Sequence, residues 1–426
     1  MHYFRNWATP LLIVLAMFST AQAQTELNEQ GEDFSSLYDL VYQIVVIDTE
    51  TNNKSALGSG FQISEDGLVV TNYHVISGFV FEPDHHRVEY VDQSGDTGVL
   101  QLVTFDVIND LAILKRENAS SEFFPLAADE PSRGDSIYAL GNPHDIGMLL
   151  VSGAYNGLAD SSYNDQILYS GSLNPGMSGG PTVNEDGEVV GVNVATAGSQ
   201  LSFLVPVSKV YDLLTKVDAP LVSESFLDHI STQIRTFQTH YFSQLLNADW
   251  ALEDLGDYAQ VPGEMGLDTN CWGRSNEDNE DALMLQLQLV CNNSNRVYLQ
   301  PGFNTGVLHY SYFFYEAKDI GAYRFHKLAS DTTYNPDNWA SDDEVTPYEC
   351  EQRYIDPVAD EPGENVVQIG FCSRSYINLE GLYDTLFYRT SANNSQALTT
   401  HFTLAGVDRS VALQFAQRFM EESKWK

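Results

Sequence analysis

The chain has 426 residues, of which 43% are hydrophobic and 19% are charged, a balance that is typical of globular domains and excludes a largely disordered protein. At this length, two domains are expected. Asp and Glu number 59 against 21 Lys and Arg, so the formal net charge is −38. Such a charge repels nucleic acids and anionic membrane surfaces, and we expect neither as a partner.

The first 23 residues predict a secretory signal peptide. Arg5 precedes an apolar run from Trp7 to Phe18, and small residues lead to a cleavage site after Ala23. A membrane anchor would need a longer apolar span, and no later stretch is apolar enough to cross a bilayer. We therefore expect an exported protein, periplasmic or secreted, without an integral membrane segment.

From about Tyr38 to Val207, short β-branched or alternating segments are separated by Gly, Asp, Asn and Pro. These segments are VYQIVVID, SGFQIS, GLVVTN, HRVEYV, GVLQLVTF, LAILK, SIYALG, QILYSG, EVVGVNVA and LSFLVPV. The tetrapeptides SEDG from Ser64 and NEDG from Asn184 are typical of hairpin turns. Ten or more short strands without a convincing helix predict an all-β sandwich or barrels.

Three polar residues stand out among these strands. His74 follows an apolar strand, Asp110 directly precedes another, and Ser178 lies in NPGMSGGP, residues 174–181. Acyl transfer by a serine needs a base for its proton, a carboxylate that orients the base, and backbone donors for the oxyanion. Taken singly, His74 could be a surface or core histidine, Asp110 a turn cap, and Ser178 part of a surface turn. Asp106, four residues earlier, also competes with Asp110.

Taken together, TNYHVI, NDLAILK and NPGMSGGP resemble the motifs of chymotrypsin-fold serine proteases, and most closely those of the bacterial HtrA/Deg branch. The resemblance covers residues 35–217 and implies a double β-barrel peptidase domain. It implies that Ser178 is the nucleophile, that His74 is first general base and then general acid, and that Asp110 orients His74. It also implies an oxyanion hole formed by the backbone N–H groups of Gly176 and Ser178.

The resemblance places the specificity pocket at Ser172, Leu173 and the stretch from Val192 to Phe203. Because Ser172 is neutral, no acid stands ready for an Arg or Lys side chain, and we expect small or medium apolar side chains to be preferred. Met177 replaces the acid that digestive relatives use to bind a freed N-terminus, so activation by N-terminal clipping is not expected. We find no PDZ-like pattern, and do not carry over peptide sensing or cage assembly.

The period changes towards helix in PVSKVYDLLTKV, and a domain boundary is expected near residues 219–220. A stronger helix is predicted from about Glu224, with Ser223 as its N-cap. For residues 221–426 the sequence predicts a mixed α+β accessory domain of unknown role. Its predicted strands are LMLQLQLVC, VLHYSYFFY, NVVQIGFC and TLFYRT, and a helix is predicted from about Val407.

All four cysteines lie in this second half. In an exported protein an even count predicts disulfides, and of three possible pairings the short separations favour Cys271–Cys291 and Cys350–Cys372. A zinc site is the alternative, but no C-x-x-C element is present. The acidic stretch NEDNED lacks EF-hand spacing and is interpreted as a solvated loop. No metal and no cofactor is expected.

The leading hypothesis is a secreted or periplasmic serine endopeptidase that acts on polypeptides through an acyl-enzyme intermediate. The alternative is a catalytically silent binding or chaperone protein on a protease fold. A serine esterase is a third possibility, but the context of Ser178 is G-x-S-G-G and not the G-x-S-x-G elbow. The oligomeric state is left open by the sequence.

Overall fold

The computed structural model describes residues 35–142, 147–160, 164–198, 200–217, 221–266, 268–294, 296–330, 340–355 and 366–426. The predicted signal peptide, residues 1–23, and the predicted boundary at 219–220 lie outside these ranges. Within them, no helix combines the length and the apolar character needed to span a bilayer.

The first half begins with a short helix, α1 (Ser35–Tyr38), and a closed antiparallel barrel of six strands in the described part of the chain. The strands are β1 (Val41–Asp48), β2 (Lys54–Gln62), β3 (Leu68–Thr71), β4 (His86–Val91), β5 (Thr97–Asp106) and β6 (Leu111–Arg116). Their order around the barrel is β1-β2-β3-β6-β5-β4. Both faces of β1 are buried, because it packs inside the barrel and against its neighbours.

A second closed barrel follows. Its strands are β7 (Ser136–Gly141), β8 (Leu149–Leu158), β9 (Ile167–Tyr169), β10 (Pro181–Val183), β11 (Val189–Gly198) and β12 (Leu201–Pro206). They run in the order β10-β11-β12-β9-β8-β7. A buried cluster that includes Val41 and Phe61 of the first barrel and Leu140 and Val192 of the second joins the two. The predicted double-barrel architecture is therefore confirmed.

The two predicted hairpin turns are also confirmed. In the turn between β2 and β3, the N–H of Gly67 donates to the carbonyl of Ser64 at 3.0 Å, and Gly67 has a φ of +87°. In the turn between β10 and β11, Gly187 has a φ of +79° and its N–H donates to Asn184 at 3.1 Å. Glycine is favoured at the fourth position of both tetrapeptides, since other residues are strained at positive φ.

The prediction that His74 ends a strand is wrong. β3 ends at Thr71, and His74 is the second residue of a helix, α2 (Tyr73–Phe81). The buried residues Tyr73, Ile76, Ser77 and Val80 fall at helical spacing, so one face of α2 packs on the first barrel. An apolar run this short fits a strand or a helix, and here the helical period decides.

Two further helices connect the halves of the chain. α3 (Val207–Leu214) follows β12 directly. The helix predicted from about Glu224 is α4 (Phe226–Asn247), whose buried residues include Ile230, Ile234 and Leu245. The predicted N-cap at Ser223 is wrong, since residues 223–225 form a separate 3-10 turn. Ser225 occupies the N-cap position without a side-chain cap, because its hydroxyl donates back to the Val222 carbonyl at 2.8 Å.

The second half is built around a seven-stranded antiparallel sheet. The strands of this half are β13 (Leu252–Leu255), β14 (Ala259–Pro262), β15 (Thr269–Ser275), β16 (Met284–Asn293), β17 (Val297–Gln300), β18 (Phe303–Thr305), β19 (Leu308–Ala317), β20 (Glu349–Ile355), β21 (Val366–Ser375), β22 (Tyr383–Ala392), β23 (Gln396–Val407) and β24 (Lys424–Trp425). The large sheet has the order β15-β16-β19-β23-β22-β21-β20. In the smaller sheets, β14 pairs with both β13 and β24, and β17 pairs with β18. The helices are α5 (Ala322–Ser330) and α6 (Arg409–Glu422).

Disulfides join the strands at both edges of the large sheet. Cys271 on β15 lies directly opposite Cys291 on β16, and Cys350 on β20 lies directly opposite Cys372 on β21. Both pairs are bonded, so the favoured connectivity is confirmed and these sulfurs are not a zinc set.

The two halves share a hydrophobic core. One continuous buried cluster runs from Tyr73 and Phe105 of the first barrel through Ile230 of α4 to Leu299 and Leu382 of the second half. The side chain of Gln233, also on α4, bonds to the backbone of β5 and of the residue after it, donating to the Phe105 carbonyl and accepting from the Val107 N–H, each at 2.9 Å. The second half is therefore packed on the barrel that carries His74.

Candidate active site

His74 and Asp110 meet at the mouth of the first barrel. Nδ1 of His74 lies 2.7 Å from Oδ2 of Asp110, and the backbone N–H of His74 donates to Oδ1 at 2.8 Å. One carboxylate therefore holds both the backbone and the ring of the same histidine. Asp110 has a φ of +54°, and its carbonyl accepts from Nδ2 of Asn72 at 2.8 Å, which fixes this uncommon conformation.

The electrostatics of the pair follow from this geometry. Burial lowers the pKa of the His74 ring, while the charge of Asp110 and its hydrogen bond to the ring raise it. The two effects of Asp110 together outweigh burial, so the pKa of His74 lies above its ordinary value. Asp110 therefore stabilises the protonated imidazole, as a base that receives a proton requires.

The loop that carries Ser178 is fastened to β2 of the first barrel. The Ser59 N–H donates to the carbonyl of Ser178 at 2.7 Å, and the Ser59 hydroxyl donates to the carbonyl of Gly176 at 2.7 Å. The same hydroxyl accepts from the N–H of Asn142 at 3.0 Å. These bonds bring the serine loop of the second barrel against the first.

Glycine is required behind the serine. Gly179 has a φ of +85°, and a Cβ there would overlap the Ser59 carbonyl and the Thr71 hydroxyl. At Gly180 a Cβ would overlap the carbonyl of Leu140. The backbone behind Ser178 is therefore closely packed, and it leaves no room for a side chain.

The backbone N–H groups of Gly176 and Ser178 lie in the turn around the serine. Gly176 adopts a φ of +95°, which turns the local backbone. Among the hydrogen bonds found in the described part of the chain, none has the N–H of Gly176 or of Ser178 as its donor. Two donors two residues apart in one turn can meet a single oxygen, as an oxyanion hole requires.

The Ser178 hydroxyl donates to the carbonyl of Val194 on β11 at 2.9 Å. The hydrogen bonds of the described residues do not include one between Ser178 and His74. Val194 and His74 nevertheless line the same cleft. His74 and Val194, whose carbonyl accepts from the Ser178 hydroxyl, therefore face the same cleft.

This cleft has a volume of about 500 Å³ and three sources of lining residues. The first barrel contributes His74 and residues 107–110, and the second contributes residues 164–166, Val194, Phe203 and Val205. The second half of the chain contributes Ser294, Arg296 and Tyr298.

Comparison with known proteins shows which protein family the two barrels resemble. Residues 58–192 match the family model of the trypsin-like peptidase domain. The chain carries a trypsin-like peptidase domain. The resemblance to HtrA/Deg serine proteases is likewise confirmed by the relatives that match this part of the chain.

Among these relatives, serine protease HTRA1 of Xenopus tropicalis is 32% identical over 173 residues, which are 38% of this chain and 36% of that protein. A probable periplasmic serine endoprotease DegP-like of Rhizobium meliloti is 34% identical over 170 residues, 37% of this chain and 32% of that protein. Serine protease HTRA3 of Homo sapiens is 29% identical over 217 residues, 48% of each chain. The chain thus spans less than half the length of these relatives.

The solved structures that resemble the chain include a serine endoprotease from Yersinia pestis. It is 26% identical, and the alignment covers 43% of this chain and 64% of that one, with a TM-score of 0.38.

The predicted pocket residues of the peptidase domain have different surroundings. Phe203 lines the cleft, whereas Leu173 and Val192 lie in buried clusters. Ser172 is exposed, and its hydroxyl accepts from the N–H of Gln200 at 3.3 Å. Met177 is buried in the core of the second barrel, where an ion-pairing acid would be costly.

Several residues around the site escaped the sequence analysis. Ser59, which clamps the serine loop, lies in a strand that reads as core, so no local signal marks it. Val194 lies within the stretch predicted to hold the pocket, but it acts through its carbonyl, which every residue has. Tyr298 lies more than 200 positions from His74, and nothing in its neighbourhood suggests a role at the site.

Proposed function

We propose that the chain is an exported serine endopeptidase that hydrolyses polypeptides through an acyl-enzyme intermediate, with His74, Asp110 and Ser178 as its catalytic residues. The observation that carries the proposal is the pair of hydrogen bonds from the backbone and ring of His74 to Asp110, at 2.8 and 2.7 Å. Beside this pair lies a serine loop in which the N–H groups of Gly176 and Ser178 donate to no other described residue. Residues 35–217 form the peptidase domain in this proposal, and residues 221–426 form the accessory domain.

In the first step the Ser178 hydroxyl leaves the Val194 carbonyl and donates to Nε2 of His74. Oγ attacks the substrate carbonyl carbon as its proton passes to Nε2, while Asp110 keeps the other ring proton on Nδ1. The oxyanion of the tetrahedral intermediate accepts hydrogen bonds from the N–H groups of Gly176 and Ser178. The C–N bond then breaks, and His74 returns its proton to the leaving amine.

Deacylation repeats these steps with water as the nucleophile. His74 takes a proton from the water, whose oxygen attacks the acyl carbon, and the proton returns to Oγ of Ser178 as the ester bond breaks. The charge of Asp110 stabilises the imidazolium in both halves of the cycle.

Export is supported by two features of the chain. The apolar N-terminal run predicts a signal peptide, and two disulfides suit an oxidising compartment such as the periplasm or the medium. Relatives such as the Rhizobium meliloti protein bear the name periplasmic.

The test is labelling with a fluorophosphonate followed by mapping of the modified peptide. We expect modification at Ser178, and Ser178→Ala should lower the rate of casein cleavage by about 10⁶-fold. Ser132→Ala, which changes an exposed serine before β7, serves as the matched control and should behave as wild type. Equal behaviour of the wild-type and Ser178→Ala proteins in both assays would favour the silent binding or chaperone protein instead.

A further inference from the structure

A strand of the second half lies directly against the helix that carries His74. Val297 and Leu299 of β17 are buried in the same cluster as Tyr73 of α2. Ser294, Arg296 and Tyr298 alternate with them in sequence and line the cleft. The segment therefore has one face in the core and the other beside the proposed catalytic residues, as expected of an extended chain.

A buried hydrogen bond fixes the position of this strand. The Tyr73 hydroxyl donates to the carbonyl of Leu299 at 2.8 Å, across 226 positions of sequence. Both residues are fully buried, so a shift that broke this bond without admitting water would leave two polar groups unsatisfied. His74 follows Tyr73 in sequence and Tyr298 precedes Leu299, so this bond also holds His74 and Tyr298 near each other.

Tyr298 packs against the His74 ring. The two ring centroids are 6.1 Å apart with an interplanar angle of 81°, which is an edge-to-face arrangement. Burial raises the pKa of Tyr298 above its ordinary value, a hydrogen bond with Ser77 lowers it, and the charge of Asp110 raises it. The phenol is therefore protonated at neutral pH.

We propose that Tyr298 is a positioning residue for His74, supplied to the peptidase domain by the second half of the chain. Asp110 holds one edge of the imidazole, and a single ring hydrogen bond leaves the ring free to tilt about it. The Tyr298 ring blocks that tilt and keeps Nε2 directed at the serine loop. This inference rests on the proposed function of His74 as the catalytic base.

The experiment compares Tyr298→Ala, Tyr298→Leu and Tyr298→Phe in the full chain. The readouts are the rate of inactivation by a small alkyl fluorophosphonate, and kcat and KM with fluorescein-labelled casein. The phosphonate needs His74 and Ser178 in register but occupies little of the cleft, so it separates positioning from substrate binding. Tyr323→Ala is the matched control, because Tyr323 is 88% exposed on α5.

We expect Ala and Leu to slow inactivation and to lower kcat by about two- to tenfold, the range that one aromatic pair supports. Phe keeps the ring and should stay within about twofold of wild type. Leu preserves apolar bulk, so it decides the matter if the Ala variant does not fold by circular dichroism.

Two results would overturn the inference. One is an unchanged inactivation rate in a folded Ala or Leu variant, including the case in which only KM for casein rises. The other is a Phe variant as slow as Ala, which would exclude the ring contact as the cause. A wild-type chain that the phosphonate does not label at Ser178 would instead refute the proposed function itself.

Discussion

Asp110→Asn is the substitution that most sharply tests the arrangement around His74. Asp110 accepts one hydrogen bond from the His74 backbone at 2.8 Å and one at the ring at 2.7 Å. Asparagine has one oxygen for these two donors. If this oxygen keeps the bond from the His74 backbone, the NH₂ group of the asparagine faces Nδ1 of the ring. Nδ1 must then accept a hydrogen bond, so the ring proton moves to Nε2.

An imidazole protonated at Nε2 cannot take the serine proton. We therefore expect kcat to fall by about 10⁴-fold, equivalent to about 5.5 kcal/mol of transition-state stabilisation. The two side chains are 30% and 21% exposed in the wild type, so water reaches them only in part and does not replace the lost acceptor.

The residual activity should also change its pH dependence. In the wild type, Asp110 raises the pKa of His74 above the ordinary value of 6.5, so the base is lost as the pH falls through a value above 6.5. Removing the charge leaves the effect of burial, which lowers that pKa. The acid limb of kcat/KM should therefore move to lower pH in Asp110→Asn.

The assay is casein cleavage between pH 4 and 9, with Ser178 labelling as a second measure. Asp106→Asn is the isosteric control on the same turn, where Asp106 caps the N–H groups of Ile108 and Asn109. It should keep activity within about twofold, because asparagine at this buried position keeps an oxygen that can accept from both N–H groups. The reasoning is refuted if Asp110→Asn retains more than a tenth of wild-type kcat, or if its acid limb moves upward.

Two predictions concern stability. Gly179→Ala should lower the free energy of unfolding in urea by more than Gly95→Ala does. Both glycines have positive φ, which alone costs about 1–2 kcal/mol, but of the two only Gly179 would bring a Cβ into overlap with neighbouring atoms. Equal losses would contradict the close packing behind Ser178. Asp384→Ala should cost about 3–5 kcal/mol, because Asp384 is fully buried and accepts from Arg374 at 2.8 Å and Tyr376 at 2.7 Å. A loss below about 1 kcal/mol would show that this ion pair contributes little to holding β21 against β22.

Most strands of the two barrels could be predicted from the sequence, because each carries a local signal. β1 and β6 are β-branched runs between turns, and the turns contain glycine at positive φ. β8 and β10 were not predicted. β8 contains two glycines and alternates poorly, and β10 has only three residues directly behind the serine loop.

The local conformation of His74 could not be predicted, since the apolar residues around it fit a strand as well as a helix. The motif nevertheless located the residue, because its spacing relative to Asp110 and Ser178 does not depend on the element that carries it. The disulfide pairing could be predicted because hairpin partners such as Cys271 and Cys291 are close in sequence.

Contacts between the halves had no such signal. The bond from Tyr73 to Leu299 and the packing of Tyr298 on His74 join residues more than 220 positions apart, in segments of ordinary composition. Only the three-dimensional path of β17 brings them together.

The bond between Tyr73 and Leu299 also has a consequence for biosynthesis. A ribosome makes the chain from its N-terminus, so every residue of both barrels exists before Leu299 has been polymerised. Until then the outer face of α2 has no strand to cover it, and the cleft lacks its third wall. A newly made chain therefore cannot complete this cleft until translation has passed residue 300, by which time more than two thirds of the polypeptide has been synthesised.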